Sequence, residues 1–203
     1  MLQRAPQLVL ASRSPRRAEL LGRLQLAFSV RPVACDESAR AGETPDGLVR
    51  RLAAAKAELA ARDDDSQLPV LGADTVVVVD DAVLGKPADR DAGLAMLRDL
   101  SGREHLVMTA VAVSALRGRD RNLDIAVSSS RVWFADIDAT QRERYWATGE
   151  GRDKAGGYGI QGIGGILVRR IEGSHSGIMG LPLYETEVLL RAAGVDTWRH
   201  RGV

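Results

Sequence analysis

One cysteine, three histidines and almost no net charge set the first limits on this 203-residue chain. With Cys35 alone, an intramolecular disulfide is impossible and a cysteine-based zinc cage is excluded. His105, His175 and His200 lack metal-ligand spacing, which weighs against a histidine zinc site and against a phosphohistidine mechanism. Basic and acidic side chains number 28 and 27, so there is no bulk electrostatic footprint for nucleic acid or an anionic membrane. Any anion must be bound locally. No uncharged run reaches 18 residues, and the N-terminal MLQRAPQLVLA has a four-residue apolar core, too short for a signal peptide. A P-loop is missing, and neither linker, repeat nor low-complexity tract divides the chain. These absences predict a cytoplasmic globular protein that engages neither nucleic acid nor membrane.

With 45% apolar residues, the chain can bury a real core, as one domain over residues 1–203 or as two intimately packed lobes without a linker. Apolar spacing predicts strands at 7–11, 28–33, 104–116, 122–135 and 166–171, and helices at 15–25, 45–62, 89–100, 139–148 and 182–193. The run LPVLGADTVVVVD, residues 68–80, reads as two strand pieces interrupted at Gly72–Asp74, with a turn at Asp80–Asp81. Within the 45–62 helix, Leu48, Leu52, Ala55 and Leu59 make one stripe, with Lys56 on its edge.

The stretch LASRSPRRAELL leads from the first strand into the first helix, with Ser14 as N-cap and Pro15 opening the first turn. Arg16 and Arg17 then oppose the helix dipole, at a cost of roughly 0.3–1 kcal/mol each. An anion would repair the mismatch, because backbone N–H groups, Ser12, Ser14 and the guanidiniums of Arg13, Arg16 and Arg17 could converge on one phosphate or carboxylate. Asp74 lies in an apolar run, where an unpaired carboxylate costs several kcal/mol; it is either a compensated functional group or a turn aspartate bonding its own backbone. Glu37 is a second candidate carboxylate or a solvated loop residue, and with Asp74 it could hold Mg²⁺. Lys56 is a site residue or a snorkelling side chain. Lys86 in GKP and Lys154 ahead of the glycines are site cations or ordinary turn lysines. Three arginines, two carboxylates and three lysines would balance a polyphosphate and its metal. GYGIQG matches the G-x-G-x-x-G spacing but begins no helix, so a dinucleotide fingerprint is rejected. Its glycines either let the backbone approach a flat ligand, with the Gln161 amide reading a base edge, or simply build an irregular loop over 156–165.

SRSPRR, GADT, GKP, KAGGYGIQG and GLPL, in that order from Ser12 to Leu183, resemble the Maf family of nucleoside triphosphate pyrophosphatases. The resemblance implies an α/β fold: an elongated mixed sheet flanked by helices, similar to inosine triphosphate pyrophosphatases, with two lobes, a deep cleft and frequent homodimers. It also implies hydrolysis between the α- and β-phosphates with a divalent cation, Mg²⁺ or Mn²⁺, held by Glu37 and Asp74. Asp74 corresponds to the catalytic acid residue, and Glu37, Lys56 and Lys86 to charged cleft residues. Ser12, Arg13 and Arg17 fall at the phosphate-binding entrance. Arg16, Thr75 and Gln161 occupy the three base-choosing positions and resemble the dTTP/UTP branch. Gly177 departs from the asparagine that many relatives carry nearby. The rival reading is a nucleotide-binding regulator of cell division without significant turnover.

Overall fold

The apolar triplet Leu8–Leu10 is buried throughout and forms β1, which pairs in parallel with β2 (Phe28–Val30) on one side and β3 (Val70–Val79) on the other. Parallel neighbours need crossovers, and two helices supply them: α1 (Pro15–Gly22) between β1 and β2, and α2 (Pro45–Arg62) between β2 and β3. A computed structural model describes residues 5–62, 64 and 66–198 of the chain; His200 lies outside them.

β3 runs without the break expected at Gly72–Asp74. A Cβ on Gly72 would lie 2.6 Å from the backbone nitrogen of Ala57 and closer still to the carbonyl of Ala53. Gly72 is therefore a close-approach position, where α2 packs directly on the strand backbone, and not a breaker. After β3, Asp80 and Asp81 both take positive φ (49° and 63°) and form a two-residue turn into β4 (Ala82–Leu84), an antiparallel partner that short sequence spacing did not reveal.

The remaining strands are β5 (Glu104–Arg117), β6 (Asp120–Phe134) and β7 (Val168–Glu172), and the sheet order is β2-β1-β3-β5-β6-β7 with β4 on β3. The fold is thus mixed α/β on a seven-stranded sheet. Helices α3 (Arg90–Leu100), α4 (Ala139–Ala147) and α6 (Leu183–Ala192) occur where periodicity places them, and a short α5 (His175–Ile178) was not anticipated. Other boundaries shift: α1 stops at Gly22, β2 at Val30, and β7 begins at Val168 because residues 163–167 form a 3-10 turn.

The chain folds as two compact units. One comprises the described residues up to Asp74, Thr109–Ser128 and the described residues from Gly180 on. Part of its core is Val9, Ala11, Ala60, Ala61 and Val70. The other comprises Thr75–Met108 and Ser129–Met179, with a core that includes Val77, Leu97, Leu100, Phe134, Tyr145 and Tyr158. His105 belongs to this second core. Its Nε2 lies 2.8 Å from the Tyr158 hydroxyl, its ring meets Phe134 edge-on, and burial lowers its pKa to about 4. A neutral core histidine is the outcome.

Candidate active site

In the first unit, α2 turns a different face inward from the expected stripe. Leu48, Leu52 and Lys56 are buried with Val49, Ala53, Ala57 and Ala60, while Ala55 and Leu59 are only half-buried. Lys56 sits in that face, 8% exposed, so it does not snorkel. Its Nζ donates to Asp74 Oδ1 at 2.7 Å and reaches Glu37 Oε1 at 2.5 Å. The close approach at Gly72 is what brings the helix lysine onto a strand aspartate two residues further on. Asp74 is 8% exposed and paired, which disposes of the turn-aspartate alternative. Burial lowers the Lys56 pKa, but Asp74 and Glu37 outweigh it and hold the ammonium above its ordinary 10.5.

Glu37 lies on the segment between β2 and α2, which has no regular structure of its own. A fork tethers that segment to the helix: Arg51 donates to both oxygens of Glu43 at 2.6 and 2.8 Å and to the Ser38 carbonyl at 2.9 Å. The Arg51 hydrogen bond, with one from the Arg40 backbone, pulls Glu43 down to about 2. Cys35 shares the same field: burial pushes its thiol up, against Lys56, with Glu37 and Asp74 adding to the rise. A thiolate nucleophile has no support there.

The arginine-rich turn also belongs to this unit. Ser14 is the N-cap by position, with extended backbone at φ −71° and ψ 115°, but its hydroxyl makes no cap bond; its own N–H donates to Ser12 Oγ at 3.1 Å. Ser12 is buried and also faces Arg17 Nη1 at 3.4 Å. Arg17 Nε donates to the Gly180 carbonyl at 2.8 Å, which ties the GLPL segment to the SRSPRR segment. Burial lowers the Arg17 pKa, Asp74 and Glu37 raise it and Arg16 lowers it. Arg17 therefore feels both carboxylates of the Lys56 cluster, and Ser12, Arg16, Arg17, Glu37, Lys56 and Asp74 form one electrostatic neighbourhood. Arg13 is exposed on the same turn.

Asp74 and Glu37 present hard oxygens to a single cationic atom, a donor set that suits Mg²⁺ or Mn²⁺ when phosphates and water complete the shell. Among the described residues no group of three or more His, Cys, Asp or Glu side chains could hold an ion by itself. The site fits a cation shared with a polyphosphate better than a permanent protein cage.

Thr75, Lys86, Lys154 and Gln161 fall in the second unit. Lys86 and Gln161 are exposed, Thr75 and Lys154 half-buried. The GKP and KAGGYGIQG segments meet there: the Gly156 N–H donates to the Gly85 carbonyl at 3.0 Å, with Gly156 at φ 70°. Lys154 donates to Asp153 Oδ1 at 2.7 Å and to the Glu150 carbonyl. A Cβ on Gly159 would lie 2.8 Å from Lys154 Cε and 3.3 Å from Gln161 Nε2, so both side chains crowd that glycine. The glycines thus answer to packing inside the protein, whatever they offer a ligand. Gly177 is buried and its N–H is capped by Ser174 Oγ at 3.0 Å.

Sequence reasoning missed Arg51, which positions the Glu37 segment, and Gly180, whose carbonyl seats Arg17. The Glu43–Arg51 separation of eight residues matches no helical pairing rule, and a backbone acceptor leaves no side-chain signature.

The chain is 50% identical over 190 residues to the dTTP/UTP pyrophosphatase of Methylobacillus flagellatus, covering 93% of this chain and 94% of that protein. It is 47% identical to the Hahella chejuensis protein of the same name over 194 residues, 95% of this chain and 94% of that one. The Alkalilimnicola ehrlichii protein, also called dTTP/UTP pyrophosphatase, is 46% identical over 200 residues and 96% of each chain. A family model described as Maf-like protein matches residues 7–193, a span that takes in every motif from SRSPRR to GLPL, and the chain belongs to that family.

Proposed function

We propose that the protein hydrolyses dTTP and UTP to the nucleoside monophosphate and pyrophosphate. The observation that carries this reading is the buried Lys56 ammonium held between Asp74 and Glu37 within the field of Arg17. A buried cation bridging two carboxylates is costly as structure alone, and beside arginines it suits a substrate with several negative charges and a hydrolytic water. The names of the Methylobacillus and Hahella relatives support the same chemistry.

In this reading Ser12, Ser14, Arg13 and Arg17 bind the phosphates. Asp74 orients a water and receives its proton as the water oxygen bonds to the α-phosphorus. The bond from that phosphorus to the bridging oxygen breaks, and the electron pair leaves with pyrophosphate. Lys56, Lys86 and Lys154 neutralise charge that builds on the phosphate oxygens. Asp74 and Glu37 hold one Mg²⁺ or Mn²⁺, which when bound screens the triphosphate and acts as a Lewis acid on it. Arg16, Thr75 and Gln161 choose the base. No helix among the described residues is long and apolar enough to cross a membrane, and a cytoplasmic homodimer is the working form proposed.

Product analysis across nucleoside triphosphates, with and without added divalent metal, tests the reading. kcat/KM for dTTP and UTP will exceed that for dGTP and 7-methyl-GTP by about 10²-fold or more, because a site built to pair a pyrimidine edge leaves polar groups unpaired on the wrong base. Purine preference would overturn the base assignment. Tight binding without any turnover in Mg²⁺ and Mn²⁺ would favour the regulator reading instead.

A further inference from the structure

Glu150 is used by none of the steps above, yet its carboxylate accepts three hydrogen bonds within the second unit. Its Oε1 accepts from the Tyr145 hydroxyl and from the Gly164 N–H, both at 2.9 Å, and its Oε2 accepts from the Ile163 N–H at 2.8 Å. The same Tyr145 hydroxyl accepts from the Gly159 N–H at 3.0 Å. Three backbone amides, at 159, 163 and 164, are therefore strung on one tyrosine–glutamate pair, and Gln161 lies in the middle of the segment they pin.

Both supports are themselves fixed. Tyr145 is buried on α4, whose start carries a reciprocal cap between Asp138 and Gln141. Glu150 donates its own N–H to Thr148 Oγ1 at 3.2 Å. The glycines record how tightly the loop is held. A Cβ on Gly162 would overlap Glu150 Oε2, and one on Gly164 would come within 2.8 Å of the Tyr145 hydroxyl and 3.1 Å of Glu150 Oε1. Glu150 is half-buried, so the clasp costs its carboxylate part of its hydration, and three hydrogen bonds to the charged form repay it. A loop of six glycines in ten residues would otherwise be among the most mobile parts of the chain.

We propose that Glu150, acting with Tyr145, is a positioning residue for base selection: it holds residues 159–164 so that the Gln161 amide meets the base edge in one orientation. The inference rests on the assignment of Gln161 to the base. Selectivity is the property at stake, since a hydrogen-bonding site discriminates only while its donors and acceptors stay fixed.

The test compares Glu150→Gln, Gln161→Ala and the double variant, reading the ratio of kcat/KM for dTTP to that for dGTP. The substituted amide could offer one acceptor oxygen and would turn its NH₂ toward a backbone donor, so E150Q should lower the ratio about tenfold, with most of the change in KM for dTTP. In the Q161A background the same substitution should change the ratio less than twofold. Hydrogen exchange at the amides of Ile163 and Gly164 should quicken at least tenfold in E150Q. Tyr145→Phe, which keeps the ring and removes only the hydroxyl, should lower the ratio about threefold and serves if E150Q folds poorly. An unchanged ratio in E150Q or Y145F beside a lowered one in Q161A would overturn the clasp and leave the base assignment standing. Equal falls with and without Gln161 would also overturn it. An unchanged ratio in Q161A would overturn both.

Discussion

Exchange of Asp74 for asparagine will lower kcat on dTTP by about 10³-fold, within the 10²–10⁴ that a positioned acid or base contributes. Asparagine matches aspartate in size, and its amide oxygen can still accept the Lys56 hydrogen bond now made to Asp74 Oδ1 at 2.7 Å. The change therefore removes the charge and the proton acceptor while keeping the contact. KM should move by less than tenfold, because Ser12 and Arg17 are untouched. Steady-state kinetics with pyrophosphate detection checks the result, and a thermal melt verifies that the fold persists. Wild-type turnover in D74N would remove Asp74 from the reaction.

Replacing Lys56 by methionine has the largest expected effect on stability. Methionine fills the buried stem, but Asp74 and Glu37 lose the ammonium that both now touch. Leaving a buried charge without its partner costs about 3–5 kcal/mol. Glu37 is half-exposed and can turn to water, so the lower end, about 3 kcal/mol, is expected. The pH dependence carries a sign. The folded pKa of Lys56 lies above the ordinary 10.5, so its contribution is fully present below 10.5 and is lost as pH rises through the folded value. Urea unfolding in the presence of a chelator should show the wild type losing its advantage over K56M in that alkaline window. Mg²⁺ should restore more stability to K56M than to the wild type, since two carboxylates then await one cation. Equal stability of K56M and wild type at neutral pH would mean that the three groups are not packed as an ion cluster.

Most of the fold was legible because its elements are locally consistent. β1, α3, α4 and α6 combine apolar periodicity with identifiable ends, such as Asp89 accepting from the Ala92 N–H at the start of α3. What failed depended on partners distant in sequence. Gly72 reads as a breaker until α2 lies against it, and Lys56 reads as a snorkelling edge residue until Asp74, eighteen residues on, becomes its partner. Ser14 stands at the N-cap as its local sequence suggests, yet its hydroxyl makes no cap bond, and its N–H and the Arg17 guanidinium converge on the Ser12 hydroxyl instead. Short pieces such as β4 and α5 carry too few residues to show a period.

The site divided in the same way. Its ionic members announced themselves by being costly where they stood: cations at a helix start, a carboxylate in an apolar run. The supports did not, for Gly180 acts through a carbonyl, Arg51 through a fork onto a loop, and Glu150 through backbone amides.

The central claim is that the arginines at the start of α1 and the carboxylate of Asp74 handle one polyanionic substrate. Because D74N should bind dTTP without consuming it, calorimetric titration of D74N with dTTP and Mg²⁺, with and without Arg17→Ala, measures that claim directly. The account predicts that D74N binds dTTP and that adding R17A weakens binding by about 10²-fold, the order expected when half-buried Arg17 is removed from a largely desolvated charge contact. Equal affinity in the two proteins would place the triphosphate elsewhere and contradict it.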